Sequence, residues 1–181
     1  MEKPNKKSAP SWSDLKTKLS DFDRTGLLAL LQGLYSSSRE NQAFLHARFC
    51  LGSNTLGPYK TTIARWMWPD ISRGQATSIS KAKKAIADYK KAVGRPEEVA
   101  ELMTFYCEQG AGFSRDVGFS DESFFASLMS MFASALTLTT TLSPVQRDSF
   151  LRRLVAVSRI SRDVGYGLSD EMEYLLDEHL A

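Results

Sequence analysis

The chain has 181 residues, 43% of them hydrophobic and 24% charged, with a formal net charge of +2. Those proportions are ordinary for a folded domain and exclude a chain disordered throughout. Cys50, Cys107, His46 and His179 are not spaced as a redox pair or a ligand set, so no metal and no cofactor is expected, and both cysteines read as small buried hydrophobes.

Residues 1–10 read as a flexible basic tail, with Lys3, Lys6, Lys7, Pro4 and Pro10 and no apolar run. Neither a secretory nor a transit signal fits that stretch, and a cytoplasmic address is expected. Residues 11–181 are expected to form a single helical domain. A first helix is predicted from Trp12 to Leu19, capped by Ser11 or Ser13, with Asp14 in the opening turn where the helix dipole favours an anion. A second starts near Asp23 and carries Leu27, Leu28, Leu31 and Leu34 as one apolar stripe. Ser36, Ser37 and Ser38 interrupt it and cap a third, and the two are expected to pair as a tight hairpin.

Pro58 opens a fourth helix with Tyr59, Ile63, Trp66 and Met67, which ends before Pro69. The polar stretch 69–78 is a candidate joint between two subassemblies of the one domain. A fifth helix runs from Ser78 or Ser80 to Val93 with Gly94 to end it, Ile79, Ala82, Ile86 and Tyr89 on its apolar side and Lys81, Lys84 and Lys91 opposite. Pro96 and Glu97 open a sixth that Gly118 closes.

Residues 123–146 carry no charge, yet seven Ser and Thr lie between Phe124 and Leu142, which favours a central buried helix over a membrane span. Ser143 and Pro144 start an eighth helix, and Ser169 is expected to cap the last. No stretch alternates as a strand requires. The fold class is therefore all-α, eight or nine short helices in consecutive antiparallel hairpins, with a short right-handed α-α superhelix open as their arrangement.

One pattern repeats. Ser114, Arg115, Asp116, Val117 and Gly118 recur as Ser161, Arg162, Asp163, Val164 and Gly165, and an aromatic follows each copy, Phe119 and Tyr166. After an insertion of Gly167 and Leu168, Ser120, Asp121 and Glu122 match Ser169, Asp170 and Glu171. Each copy is a helix end closed by glycine and followed by a new cap, so the pair reads either as two good corners or as a duplicated unit. In the functional reading Arg115, Asp116, Arg162 and Asp163 form a polar binding rim.

The run Ser80 to Ile86, the helix from Glu97 to Phe113 and the glycine-aromatic corners resemble an uncharacterised family of small helical bacterial proteins, a domain of unknown function. The resemblance covers residues 78–181. It implies a helical fold and bacterial origin, and no activity.

Three function classes remain. The first is an interaction module whose partner is another protein or a second copy of the chain, with Trp66 and Trp68 as candidate anchors. Trp66 continues the stripe of Tyr59 and Ile63, whereas Trp68 stands equally for core and surface. The alternative is nucleic-acid binding. Between Lys60 and Arg95 the excess charge is +7, against −8 for the remainder to Ala181, and Lys81, Lys84 and Lys91 lie on one helix side to meet phosphates. An enzyme is the least supported, since no constellation for acid-base or nucleophilic work is legible and no residue takes a catalytic role.

Overall fold

The computed structural model describes residues 9–180, so most of the expected tail lies outside the described residues. It is all-α. Among the described residues there are nine helices: α1 Trp12–Leu19, α2 Arg24–Ser37, α3 Arg39–Arg48, α4 Gly57–Met67, α5 Ile79–Ala92, α6 Pro96–Val117, α7 Glu122–Thr139, α8 Pro144–Ser161 and α9 Leu168–Leu180. The chain divides into two compact units, 1–42 and 43–181. The division falls inside α3, and the stretch 69–78, expected as a joint, lies within the second unit and holds a 3-10 turn at Ile71–Arg73.

In the first unit the capping chemistry follows the sequence. Ser11 and Asp14 form a reciprocal capping box, and the hydrogen bonds from Ser11 to Asp14 hold that carboxyl below its usual range. Asp23 accepts from the Gly26 amide at 2.7 Å to start α2. Asn41 donates to the Leu34 carbonyl at 2.7 Å and closes the turn into α3. Burial does not follow. The leucines of α2 form the expected stripe, but no residue of α1 or α2 is buried.

The second unit holds the core. The uncharged α7 packs against α6, α8 and α9, and α6 also packs against α4, α5 and α8. Phe124, Leu128, Phe132 and Leu136 of α7 are fully buried, each contributing about 1.5–3 kcal/mol relative to exposure. Tyr106 of α6 shares a buried hydrogen bond of 2.8 Å with Ser127 of α7, and burial pushes the Tyr106 phenol up to about 12. α9 begins at Leu168, which is buried, so Ser169, the expected cap, lies in its first turn instead. Of the cysteines Cys107 is buried, its thiol pushed up by burial, and Cys50 is exposed beyond the end of α3, 3.3 Å from the Arg95 guanidinium.

An ion network ties three of these helices together. Lys60 of α4 donates to Glu101 of α6 at 2.6 Å, and Arg153 of α8 donates to both Glu101 and Glu108, reaching Glu108 at 2.7 and 2.9 Å. Burial acts to raise the Glu101 carboxyl, and the hydrogen bonds from Arg153 and Lys60 outweigh it, so its pKa is lowered. A depressed carboxyl contributes stability that is present above its unfolded pKa and lost as pH falls through its folded one. Arg153→Met therefore lowers stability at neutral pH by roughly 1–3 kcal/mol, between the values for exposed and buried pairs. Urea denaturation at neutral and acid pH checks this, the gap between variant and wild type narrowing on acidification.

Candidate functional site

The two matching corners meet around one open groove between α7 and α9. Gly118, at φ +65°, ends α6. Asp121 then caps α7, accepting from the Phe124 amide at 2.8 Å and from the Ser123 hydroxyl at 2.6 Å, and the Ser123 and Phe124 bonds lower its pKa. The second corner is built differently. α8 stops at Ser161, whereas α6 continues through Val117, and Gly165, Tyr166 and Gly167 follow with φ of +81°, +58° and +70°. Glycine tolerates such values freely, but a bulky side chain at positive φ is strained by about 1–3 kcal/mol.

That backbone places Tyr166 over the groove, 78% exposed, its ring 5.7 Å from that of Phe125. The aromatics after the two corners belong to one chain of rings. Phe119 lies 5.0 Å from Phe113 and 5.2 Å from Phe124, Phe124 lies 6.4 Å from Phe125, and Phe125 meets Tyr166. Such tilted and edge contacts add to plain burial and hold the corners in register.

The groove has a volume of about 710 Å³. Phe125, Ala126, Met129 and Ala133 of α7 line it with Leu168 and Leu175 of α9, and Asp121, Glu122 and Glu171 stand among its lining residues, all three exposed. Among the described residues no basic side chain lines it. The opening arises from side-chain size. Ala126, Ser130 and Ala133 fall at i, i+4 and i+7 of α7, so small side chains leave space where a continuous row of leucine or phenylalanine would fill it.

The expected site residues are distributed differently. Arg115 pairs with Asp116 at 2.6 Å. Arg162 turns instead to Glu173 of α9 at 2.6 Å. None of these four lines the groove. The second half of the motif does, through Ser120, Asp121, Glu122, Tyr166 and Glu171. Ser114 and Ser161 are both buried.

Trp66 is half-buried, with the Arg65 guanidinium 4.4 Å and the Lys81 ammonium 3.9 Å from its ring centre. Trp68 is 37% exposed, and its ring edge lies 2.4 Å from where a Cβ on Gly112 would stand. Lys81, Lys84 and Lys91 are exposed on α5, with Lys84 paired to Asp88 and Lys81 against Trp66. Among the described residues there is no cluster of three or more His, Cys, Asp or Glu side chains able to hold a metal ion, and no helix is long and apolar enough to cross a membrane.

Comparison with family models, curated proteins and solved structures finds no match for the chain.

Gly112→Ala tests whether Trp68 is seated against α6. A methyl at that position collides with the indole, so the variant is expected to lose about 1–3 kcal/mol, as overpacked sites do, and to shift tryptophan emission to the red. Unchanged emission and stability would show that Trp68 is not held there.

Proposed function

We propose that this chain is an interaction module and that the groove between α7 and α9 receives an amphipathic helix. The observation that carries the reading is the groove itself, an open apolar trough with three acidic residues and, among the described residues, no basic one along it. Helix-in-groove recognition uses apolar anchors at i, i+4 and i+7 and is oriented by charge at the rim. Here Phe125, Met129 and Leu175 offer the apolar surface, Ala126 and Ala133 the room, and Asp121, Glu122 and Glu171 select basic ends. The strained Tyr166 supports the same reading, because stored backbone strain collects where a side chain must be presented.

Fluorescein-labelled helical peptides with leucine at i, i+4 and i+7 and arginine at both ends provide the test by anisotropy. Saturable micromolar binding is expected, with a loss of about tenfold or more, some 1.4 kcal/mol, in Ala126→Arg, whose site is already exposed. Peptides with glutamate ends are expected to bind more weakly. Absence of binding by every peptide would remove the groove from consideration. Tyr166→Gly separates presentation from folding: relief of positive φ offsets the lost ring contact with Phe125 and the added chain entropy, so stability changes by less than about 1 kcal/mol while peptide affinity falls.

The exposed lysines of α5 favour a second reading, binding to nucleic acid through phosphate contacts. Its signature is affinity for single-stranded or duplex probes that falls steeply with salt and is lost when Lys81, Lys84 and Lys91 become glutamate. Groove binding by an apolar helix carries a much shallower salt dependence.

A further inference from the structure

We infer that Arg65 of α4 and Lys81 of α5 form a site for a phosphoryl group beside Trp66, apart from the groove and independent of it. Two cations converge on one indole. The Arg65 guanidinium lies 4.4 Å and the Lys81 ammonium 3.9 Å from the centre of the Trp66 ring, so the charges stand no farther apart than those two distances together. Like charges that close repel, and among the described residues no carboxylate pairs with either one. Their neighbours are neutralised locally, Arg73 by Asp70 and Lys84 by Asp88.

The Nη1 of Arg65 is buried and has no hydrogen-bond partner, whereas Arg48 reaches the Ala92 carbonyl, Arg147 the His179 carbonyl and Arg153 two carboxylates. A guanidinium cannot shed its charge, so packing it without an acceptor costs stability that a ligand has to justify. The indole attracts a cation through its face, but it takes no fork of N–H bonds and carries no full negative charge. A phosphoryl group supplies both, accepting from the guanidinium fork and from the ammonium at once.

The start of α5 adds donors at the same place. The Ser78 amide donates to the Trp66 carbonyl at 3.1 Å, which seats the beginning of α5 against the end of α4. Ser78 makes no side-chain cap bond and no acid stands in the first turn, so the positive end of α5 reinforces the two cations that define the site. Free nucleotides and nucleic-acid strands present the same phosphoryl chemistry.

Inorganic pyrophosphate and ADP, read by tryptophan fluorescence of the full chain, and a fluorescein-labelled oligothymidylate, read by anisotropy, are the probes. Micromolar binding is expected. Binding of the strand alone assigns the phosphate to nucleic acid, and binding of pyrophosphate or ADP assigns it to a free phosphate. Arg65→Met and, separately, Lys81→Gln are each expected to weaken binding about tenfold or more, whereas Lys84→Gln, whose charge Asp88 already neutralises, changes it by less than about twofold. Arg65→Met is expected to keep or raise the thermal midpoint, because it removes a buried N–H that has no partner.

Failure of all three probes to bind overturns the inference, as does binding that survives Arg65→Met and depends only on the other lysines of α5. If Arg65→Met loses its fold, Lys81→Gln at its exposed position decides alone: a tenfold loss upholds the site and unchanged affinity overturns it. Ala126→Arg in the groove is expected to leave phosphate binding unchanged, so the groove reading and this site fail separately.

Discussion

The uncharged stretch from 123 to 146 is the constraint around which the second unit is arranged. A helix with Phe124, Leu128, Met131, Phe132 and Leu136 on more than one side cannot be covered by a single neighbour. α6, α8 and α9 each take part of its surface, and α6 in turn is backed by α4 and α5. Tyr106 and Ser127 share a side-chain hydrogen bond across this buried seam between α6 and α7, and both hydroxyls are thereby satisfied. The Lys60, Glu101, Arg153 and Glu108 network lies where α4, α6 and α8 meet, and it orients helices that apolar packing alone would leave free to slide.

Coverage of α7 is incomplete on one side, and that is where its residues become small. Ala126, Ser130 and Ala133 do not fill the space toward α9, so the partly buried Phe125 and Leu175 border a cleft as well as the core. The same residues thus serve two ends. Inward-facing aromatics lock the helix into the core, and the side facing α9 stays accessible. The strained Tyr166 sits over that side, held by glycines before and after it that take the same left-handed conformation without cost.

Much of this was legible in the chain. Capping residues announced two helix starts, with Ser11 and Ser143 in place, and glycine at 118 marked the end of α6. The repeated corner motif leads to the groove through its second half. Arg115, Asp116, Arg162 and Asp163 were the conspicuous residues, yet local ion pairing occupies Arg115 with Asp116 and Arg162 with Glu173, while the quieter Ser-Asp-Glu caps and the trailing aromatic Tyr166 reach the groove. The i, i+4, i+7 spacing of Ala126, Ser130 and Ala133 was the one available signal for the groove, and in a single sequence it reads equally as tight helix packing.

What the sequence alone determined is local: helical periodicity, the caps and glycine stops, the uncharged core helix and the apolar stripe of α2. These depend on residues a few positions apart, and their physics is complete within one or two turns. Tertiary structure decided what those stripes face. The stripe of α7 is buried because α6, α8 and α9 are there to cover it, and burial depends on such distant helices. It also decided that two corners nearly fifty residues apart along the chain converge on one groove, a juxtaposition set by how α6 to α9 pack and by no property of either corner alone.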